Sequence, residues 1–298
     1  MPSTNSSQKD KLNRNQRRSL NREQAREQAH ALKAKENAKK KRTRILAIVA
    51  ATALIAAVIG IAVVLVKNAN NTAVMTNNDG LPHVAKTITM EAPKNVTEYG
   101  GIPLGKDLKA GTVNEGVPQI DIYFDYSCHH CNDLSNEYGA ALTEAAQKGE
   151  ITLVYHPVAS MQGLFSFTGA VAEFYVASNE PEKYLKFHDL LHEKLMTPYM
   201  AKTIETPQAK DIGTIARQAG LSDSTYQGLM EELTATENAL LKDQSKASSI
   251  PLLIWVSEVT NQFIKDSEAL DNKGTPTVYF DGKKLDNWKE DLPNLLNK

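Results

Sequence analysis

The 298-residue chain contains only two cysteines, Cys128 and Cys131, which stand three positions apart. Cys-x-x-Cys with His129 and His130 could ligate zinc, but the lack of a second cysteine pair disfavours a metal site. The residue after Cys131 is Asn132 rather than histidine, which excludes a c-type haem attachment motif. A disulfide this short removes little chain entropy, which disfavours a purely structural staple.

Charge is absent from residues 45–66. At about 1.5 Å per residue, this run forms a helix of about 33 Å, enough to cross a hydrocarbon core of about 30 Å. It is too long for the apolar region of a cleaved signal peptide, and it is apolar on every face with a basic flank, unlike a core helix. We predict a single transmembrane helix at 45–66, with a cytoplasmic N-terminus and the C-terminal part outside the cytoplasm.

Aromatic residues are absent from the leader, residues 1–44, which carries 14 basic and 4 acidic residues and a net charge of +10. The rest of the chain carries 20 basic and 31 acidic residues, a net charge of −11. Without aromatic side chains to stack on bases, nucleic-acid binding is disfavoured. We predict a basic cytoplasmic tail that fixes topology and touches anionic lipid.

Residues 67–112 are predicted to form a stalk and a lead-in segment. The segment starts with an asparagine-rich stretch and continues with a β-like stretch over Val84–Met90 and several glycine turns. We expect it to add an edge strand to the domain that follows.

Residues 113–298 are predicted to form one α/β domain. Apolar and polar residues alternate over Ile120–Phe124, which indicates a strand. A helical pattern then runs from Cys128 to about Gly149, and a second strand covers Ile151–Tyr155. A helical insertion is predicted at about 163–271. Its candidate helices are Phe167–Ser178, Pro181–Leu195, Gln208–Ala219, Asp223–Thr234 and Ile250–Leu270. Strand Thr277–Phe280, the Asp281-Gly282 turn and a return strand at Lys284-Leu285 predict a hairpin, and a helix near Trp288–Leu296 closes the chain.

The two cysteines therefore lie at a strand-to-helix junction. A thiolate at Cys128 would be stabilised by the unpaired N–H groups of the helix start, with positive charge or hydrogen bonds from His129 and His130, so its pKa should fall. Cys131, one turn inside the helix, should be more buried and act as the resolving thiol. A Cys128–Cys131 disulfide with such a leaving group is a strong oxidant, and outside the cytoplasm it can oxidise other proteins.

Two segments carry a family resemblance. Phe124-Asp125-Tyr126-Ser127-Cys128-His129-His130-Cys131 and Gly274-Thr275-Pro276-Thr277-Val278-Tyr279-Phe280-Asp281-Gly282 together resemble the DsbA-like branch of the thioredoxin superfamily. The similarity is greatest to the membrane-anchored, extracytoplasmic thiol–disulfide oxidoreductases of Gram-positive bacteria. It covers roughly residues 115–298, and the leader and anchor match only in type.

The resemblance implies a thioredoxin-like fold with an inserted helical domain. It implies that Cys128 attacks, that Cys131 resolves, that Pro276 is a cis-proline facing the dithiol, and that Thr275 offers its backbone to a substrate strand. The expected partners are exported cysteine-containing proteins and a membrane quinone-linked re-oxidase, with no bound cofactor. His130 matches the best-known oxidants of the family. His129 stands where they have proline, which leaves the redox potential open.

Other interpretations remain open at this stage. The same scaffold could serve a reductase or isomerase, for example one that reduces apocytochrome thiols, or a non-catalytic anchored binding module with the dithiol as a staple. Asp125 is expected to be a solvated or hydrogen-bonded loop acid rather than a proton relay, and His188 and His192 are expected on a helix surface. The Tyr155-His156-Pro157 segment is a weaker candidate for the active face.

Overall fold

The computed structural model describes residues 75–76, 80–271 and 274–296. The predicted cytoplasmic tail and transmembrane segment lie outside these residues. Across the described ranges, no helix combines the length and the apolar character that crossing a membrane requires.

The described residues contain seven strands and eight α-helices. The strands are β1 Met75–Thr76, β2 Pro82–His83, β3 Ile102–Leu104, β4 Gln119–Phe124, β5 Thr152–Pro157, β6 Thr277–Phe280 and β7 Lys283–Lys284. The helices are α1 His129–Lys148, α2 Leu164–Asn179, α3 Tyr184–Leu191, α4 Thr197–Met200, α5 Ala209–Ala219, α6 Asp223–Leu241, α7 Pro251–Ala269 and α8 Trp288–Leu296. A π-helical segment, His192–Met196, joins α3 to α4, and 3₁₀ turns cover Pro181–Lys183 and Gln244–Ser249.

Five strands form the main sheet in the order β3-β5-β4-β6-β7. The central strand β4 pairs in parallel with β5 and antiparallel with β6, and the other pairs are antiparallel. The short strands β1 and β2 pair separately. Because β4 is buried on both faces, Ile122 and Phe124 enter one apolar core and Tyr123 enters a second, smaller one.

Helix α1 is positioned by its apolar face and by its ends. Leu134, Tyr138 and Leu142 are buried on the side that faces the sheet. At the C-terminus, Gly149 adopts a left-handed conformation with φ of 78°, and its N–H bonds back to the carbonyl groups of the last turn. The predicted helix from Cys128 to about Gly149 is therefore confirmed.

The helices between β5 and β6 form a block in which α2 is almost wholly buried. Helix α2 packs against α6 and α7, where Phe174 meets the ring of Trp255 edge to face. The mixed α/β architecture with inserted helices agrees with the prediction from the sequence pattern.

The lead-in segment differs from the prediction. Its expected edge strand exists as β3, which pairs with β5. The β-like stretch Val84–Met90 is not a strand, however, and instead lies along α7. Backbone N–H groups of Val84, Thr87 and Thr89 donate to side chains of α7, namely Asp266, Gln262 and Glu258. These acceptors stand four residues apart on one helix face, so side chains replace the sheet partner that the segment lacks.

Candidate active site

The site lies where the C-terminal end of β4 meets the N-terminal end of β6. The pairing of Tyr123 with Thr277 fixes the two loops against each other across the sheet. The Cys128 Sγ donates a hydrogen bond to the Thr275 carbonyl oxygen at 3.2 Å. The Thr275–Pro276 peptide bond is cis. The two motifs that are far apart in sequence thus form one site.

Cys128 occupies the N-cap position of α1, with extended backbone angles φ −97° and ψ 120°. Its pKa is lowered to about 6, first by a hydrogen bond from the Cys131 side chain and then by bonds from the Thr275 side chain and the Cys131 backbone N–H. Burial and the charge of Asp125 oppose this shift. The Cys131 N–H belongs to the first turn of α1, where backbone N–H groups have no acceptor within the helix. The sequence predicted that such groups would stabilise a thiolate at Cys128.

Cys131 lies one turn further along and is only 2% exposed. Burial raises the pKa of its thiol well above the usual value, and the neighbouring Cys128 adds to the shift. The two thiols are both free. At neutral pH, Cys128 is therefore largely a thiolate, whereas Cys131 remains a protonated thiol.

His129 and His130 are placed differently from the expectation. Both rings are about two-thirds exposed and turn toward Asp133, with His130 Nδ1 at 3.4 Å and His129 Nε2 at 3.9 Å from its carboxylate. The hydrogen bonds that lower the Cys128 pKa come from Cys131 and Thr275. We assign the two histidines to the rim of the site.

Asp125 is fully buried below the cysteine loop. Its carboxylate accepts hydrogen bonds from the backbone N–H groups of Ser127 and Met161, at 2.7 and 2.8 Å, and from the hydroxyl groups of Ser166 and Ser160, at 2.7 and 3.3 Å. Burial raises its pKa despite these bonds. Asp125 ties the cysteine loop to the segment after β5. Of the two expected alternatives, it is the hydrogen-bonded loop acid and not a solvated one.

A groove of about 520 Å³ opens beside the cis-proline. We call it the cis-proline groove. Its walls come from the loop before β6 and from the β7–α8 connection. They are His130, Asp271, Gly274, Thr275, Pro276, Thr277, Lys284, Leu285, Asp286, Asn287, Trp288 and Lys289. An extended peptide laid in this groove would pass the Thr275 backbone, next to the Cys128 sulfur.

The prediction that His188 and His192 lie on a helix surface is wrong. They are 2% and 5% exposed, and their rings pack among Phe124, Tyr126 and Tyr155. On the side where they stand, the helical segment that carries them is covered by β4, by β5 and by the loop that follows β4. Among the described residues, no group of His, Cys, Asp and Glu side chains is arranged to hold a metal ion.

Sequence reasoning missed Glu173, which is fully buried on α2 and accepts hydrogen bonds from Tyr126 and Tyr184. A signal was present, because Glu173 is the only charged residue of α2, most of whose residues are apolar. In the Tyr155-His156-Pro157 segment, His156 Nε2 bonds to buried Asp121 at 2.9 Å, whereas Tyr155 faces the inner side of Cys131.

A family model described as thioredoxin matches residues 114–298, more than half of the chain. The chain belongs to the thioredoxin family. The match includes the cysteine loop, the helical insertion and the cis-proline loop, so the family assignment covers the whole site. Among curated proteins, no match to the sequence was found.

The chain is also similar to solved structures. The MdbA protein, a thiol-disulfide oxidoreductase from Actinomyces oris, is similar with a TM-score of 0.53 and 23% identity, over 69% of this chain and 89% of that chain. MdbA from Corynebacterium diphtheriae has a TM-score of 0.48 and 21% identity, over 68% and 96%. BdbD from Bacillus subtilis has a TM-score of 0.43 and 18% identity, over 70% and 98%. The first of these similarities establishes a common fold for the thioredoxin domain.

Proposed function

We propose that this chain is a thiol–disulfide oxidoreductase that introduces disulfides into exported proteins through Cys128 and Cys131. The observation that carries the proposal is the contrast between the two thiols. Cys128, with a pKa of about 6, sits beside the cis-proline loop, and Cys131 is buried with a raised pKa. Because a stabilised thiolate is a good leaving group, the disulfide form accepts electrons readily.

The reaction balances with no cofactor. A substrate thiolate attacks the Cys128 sulfur of the enzyme disulfide, which forms a mixed disulfide and releases Cys131 as a thiolate that takes up a proton. A second substrate thiolate then attacks the substrate sulfur of the mixed disulfide. The substrate leaves with a new disulfide, and the enzyme retains two electrons as a dithiol.

The location is also part of the proposal. The uncharged run at 45–66 and its basic flank support a single-pass anchor with the thioredoxin domain outside the cytoplasm. There, exported cysteine-containing proteins are the substrates, and a membrane quinone-linked protein restores the disulfide.

The test uses the full chain in detergent, mixed in its disulfide form with a reduced peptide that contains two cysteines. We expect wild type to oxidise the peptide and Cys128→Ala to be inactive. Cys131→Ala, loaded with a thiol at Cys128, should remain trapped as a mixed disulfide. Equal oxidation by Cys128→Ala and wild type contradicts the mechanism and favours a non-catalytic module with a structural dithiol.

Redox titration against glutathione decides the direction. An oxidase is expected in the range of the oxidising family members, about −120 to −180 mV, whereas a value near the −270 mV of thioredoxin selects the reductase. His129, in place of proline, makes this measurement necessary for the present chain.

A further inference from the structure

A small cavity lies on the inner side of Cys131, and Pro276 lines both this cavity and the cis-proline groove. Its volume is about 10 Å³, close to the minimum for one water molecule. Its lining includes Cys131, Phe124, Tyr155, His188, His192 and Pro276. The resolving sulfur therefore shares a cavity with two imidazole rings.

His192 is the more unusual of the two histidines. It is 5% exposed, and within the described part of the chain neither ring nitrogen has a hydrogen-bond partner. Buried polar atoms without a partner are uncommon and call for a functional or solvent explanation. Burial and the neighbouring His188 lower its pKa well below the usual value, so the ring is neutral and has one nitrogen free to accept a proton. His192 also begins the π-helical segment, a backbone irregularity that is frequent at functional sites.

His188 contacts both His192 and a buried carboxylate. The two imidazole centroids are 4.5 Å apart, and His188 Nδ1 lies 3.1 Å from a carboxylate oxygen of Glu173. Burial disfavours the His188 cation, but attraction to Glu173 and the hydrogen bond outweigh burial and raise its pKa. His188 can therefore hold a proton in the interior.

The other titratable groups that face this pair come from the loop after β4, from β5 and from α3. Tyr126 after β4 and Tyr184 on α3 donate to Glu173, Tyr155 on β5 stacks on His188 at 4.2 Å, and Asp189 adds negative charge from α3. Burial raises the pKa of all three tyrosines, so they stay protonated and do not take the proton. Burial also raises the pKa of Asp189.

We infer that His192, His188 and Glu173 form an internal proton relay that serves the Cys131 sulfur through the small cavity. The inference rests on the proposed function, because only a redox cycle forms and consumes a thiolate at Cys131. A sulfur this deeply buried needs a proton source when it leaves and a proton acceptor when it attacks.

The proton balance follows from the redox steps. When a substrate thiolate breaks the Cys128–Cys131 bond, the electron pair stays on Cys131. A proton then passes from the His188 imidazolium to a water in the cavity that both histidines line, and from there to that sulfur, which leaves neutral His188 beside Glu173. During re-oxidation, Cys128 attacks a disulfide of the oxidising partner. Cys131 then returns its proton to His188 as it attacks the mixed disulfide at Cys128 and releases the partner thiolate.

The test follows the two steps separately on the reduced full chain in detergent. An aromatic disulfide such as 5,5′-dithiobis(2-nitrobenzoate) releases one coloured thiolate when Cys128 attacks and a second when Cys131 closes the ring. His192→Phe and Glu173→Gln should slow the second release by roughly 10²-fold, the lower range for general acid–base catalysis, and leave the first within twofold. Thr236→Val is the matched control, because it removes another buried side-chain oxygen without a partner, on α6, and should change neither release.

The pH profile distinguishes a relay from a structural role. In wild type, the second release should rise with pH until His188 is neutral and then level off. In His192→Phe it should rise tenfold per pH unit without a plateau, because hydroxide removes the Cys131 proton. In His192→Ala, added imidazole should restore part of the rate.

Several outcomes overturn the relay. One is a second release in His192→Phe within twofold of wild type with the same plateau. Another is a second release in the wild type whose rate shows no plateau with pH. This outcome is measured on the wild type alone, so it does not depend on the folding of any variant. Failure of the first release instead contradicts the proposed function, because Cys128 would then be unreactive.

Discussion

The Cys128 sulfur lies 3.2 Å from the carbonyl oxygen of Thr275, although 147 positions separate the two residues in the chain. The contact depends on β4 and β6 being neighbours, since each loop is attached directly to one of these strands. It also places the Cys128 sulfur next to the backbone of the cis-proline groove. The position of the thiol and the position of the groove therefore share one structural origin.

The first prediction concerns the pH dependence of Cys128 alkylation. The pKa of Cys128 is lowered, so the reactive thiolate is present above about pH 6 and is lost as pH falls through that value. Iodoacetamide labelling of the reduced full chain should be roughly tenfold faster at pH 7 than at pH 5 and should change little above pH 7. Mass spectrometry should locate the label at Cys128. A midpoint near that of an ordinary thiol, about 8.5, contradicts the site electrostatics.

The second prediction concerns the source of the low pKa. The Cys131 side chain is the largest cause that lowers the pKa of Cys128. Cys131→Ala removes this hydrogen-bond donor and should move the midpoint of Cys128 alkylation upward. Cys131→Ser keeps a donor at the same position and should move it less. Equal midpoints in the two variants would show that the backbone N–H groups of the helix start dominate instead.

The third prediction concerns the stability of the cysteine loop. Asp125→Ala leaves one buried donor, Ser166, and two partly buried donors without an acceptor, so we expect a loss of about 3–5 kcal/mol in the free energy of unfolding. Ser160→Ala removes only the 3.3 Å bond and should cost less than about 1 kcal/mol. Urea denaturation followed by tryptophan fluorescence measures both variants. Similar losses in the two variants would mean that Asp125 does not hold the loop.

The fourth prediction concerns the lead-in segment along α7. Gln262 is 2% exposed and accepts from both the N–H and the hydroxyl of Thr87, so Gln262→Ala should cost about 1–3 kcal/mol. Glu258→Ala is the matched control one turn away. Its bonds to Thr89 and Met90 are more exposed, water can replace them, and the cost should stay below about 1 kcal/mol. The reverse order of stabilities would contradict the assigned role of the segment.

The sheet and the redox motif were predictable from the sequence because their signals are local. Alternation marks β4, Gly149 ends α1, and the Asp281-Gly282 turn marks the last hairpin. The dithiol and the cis-proline loop were recognised as a pair by resemblance. Their contact follows from the position of β6 beside β4, which neither motif encodes alone.

The remaining features depend on contacts between distant segments. Val84–Met90 carries a β-like pattern, yet the side chains of α7 take the hydrogen bonds that a strand partner would have made. The spacing of His188 and His192 gives one helix face but does not say whether that face meets solvent or a core. Here α2 supplies Glu173 beside them, and burial follows from that packing.

The central position of β4 has a consequence for biosynthesis. Translation proceeds from the amino terminus, so Cys128 and Cys131 leave the ribosome long before the residues of β6 that flank β4 in the finished sheet. Until β6 arrives, the nascent chain displays two thiols with no Thr275 carbonyl beside them. The contact between Cys128 and Thr275 therefore forms only after the rest of the domain has been synthesised.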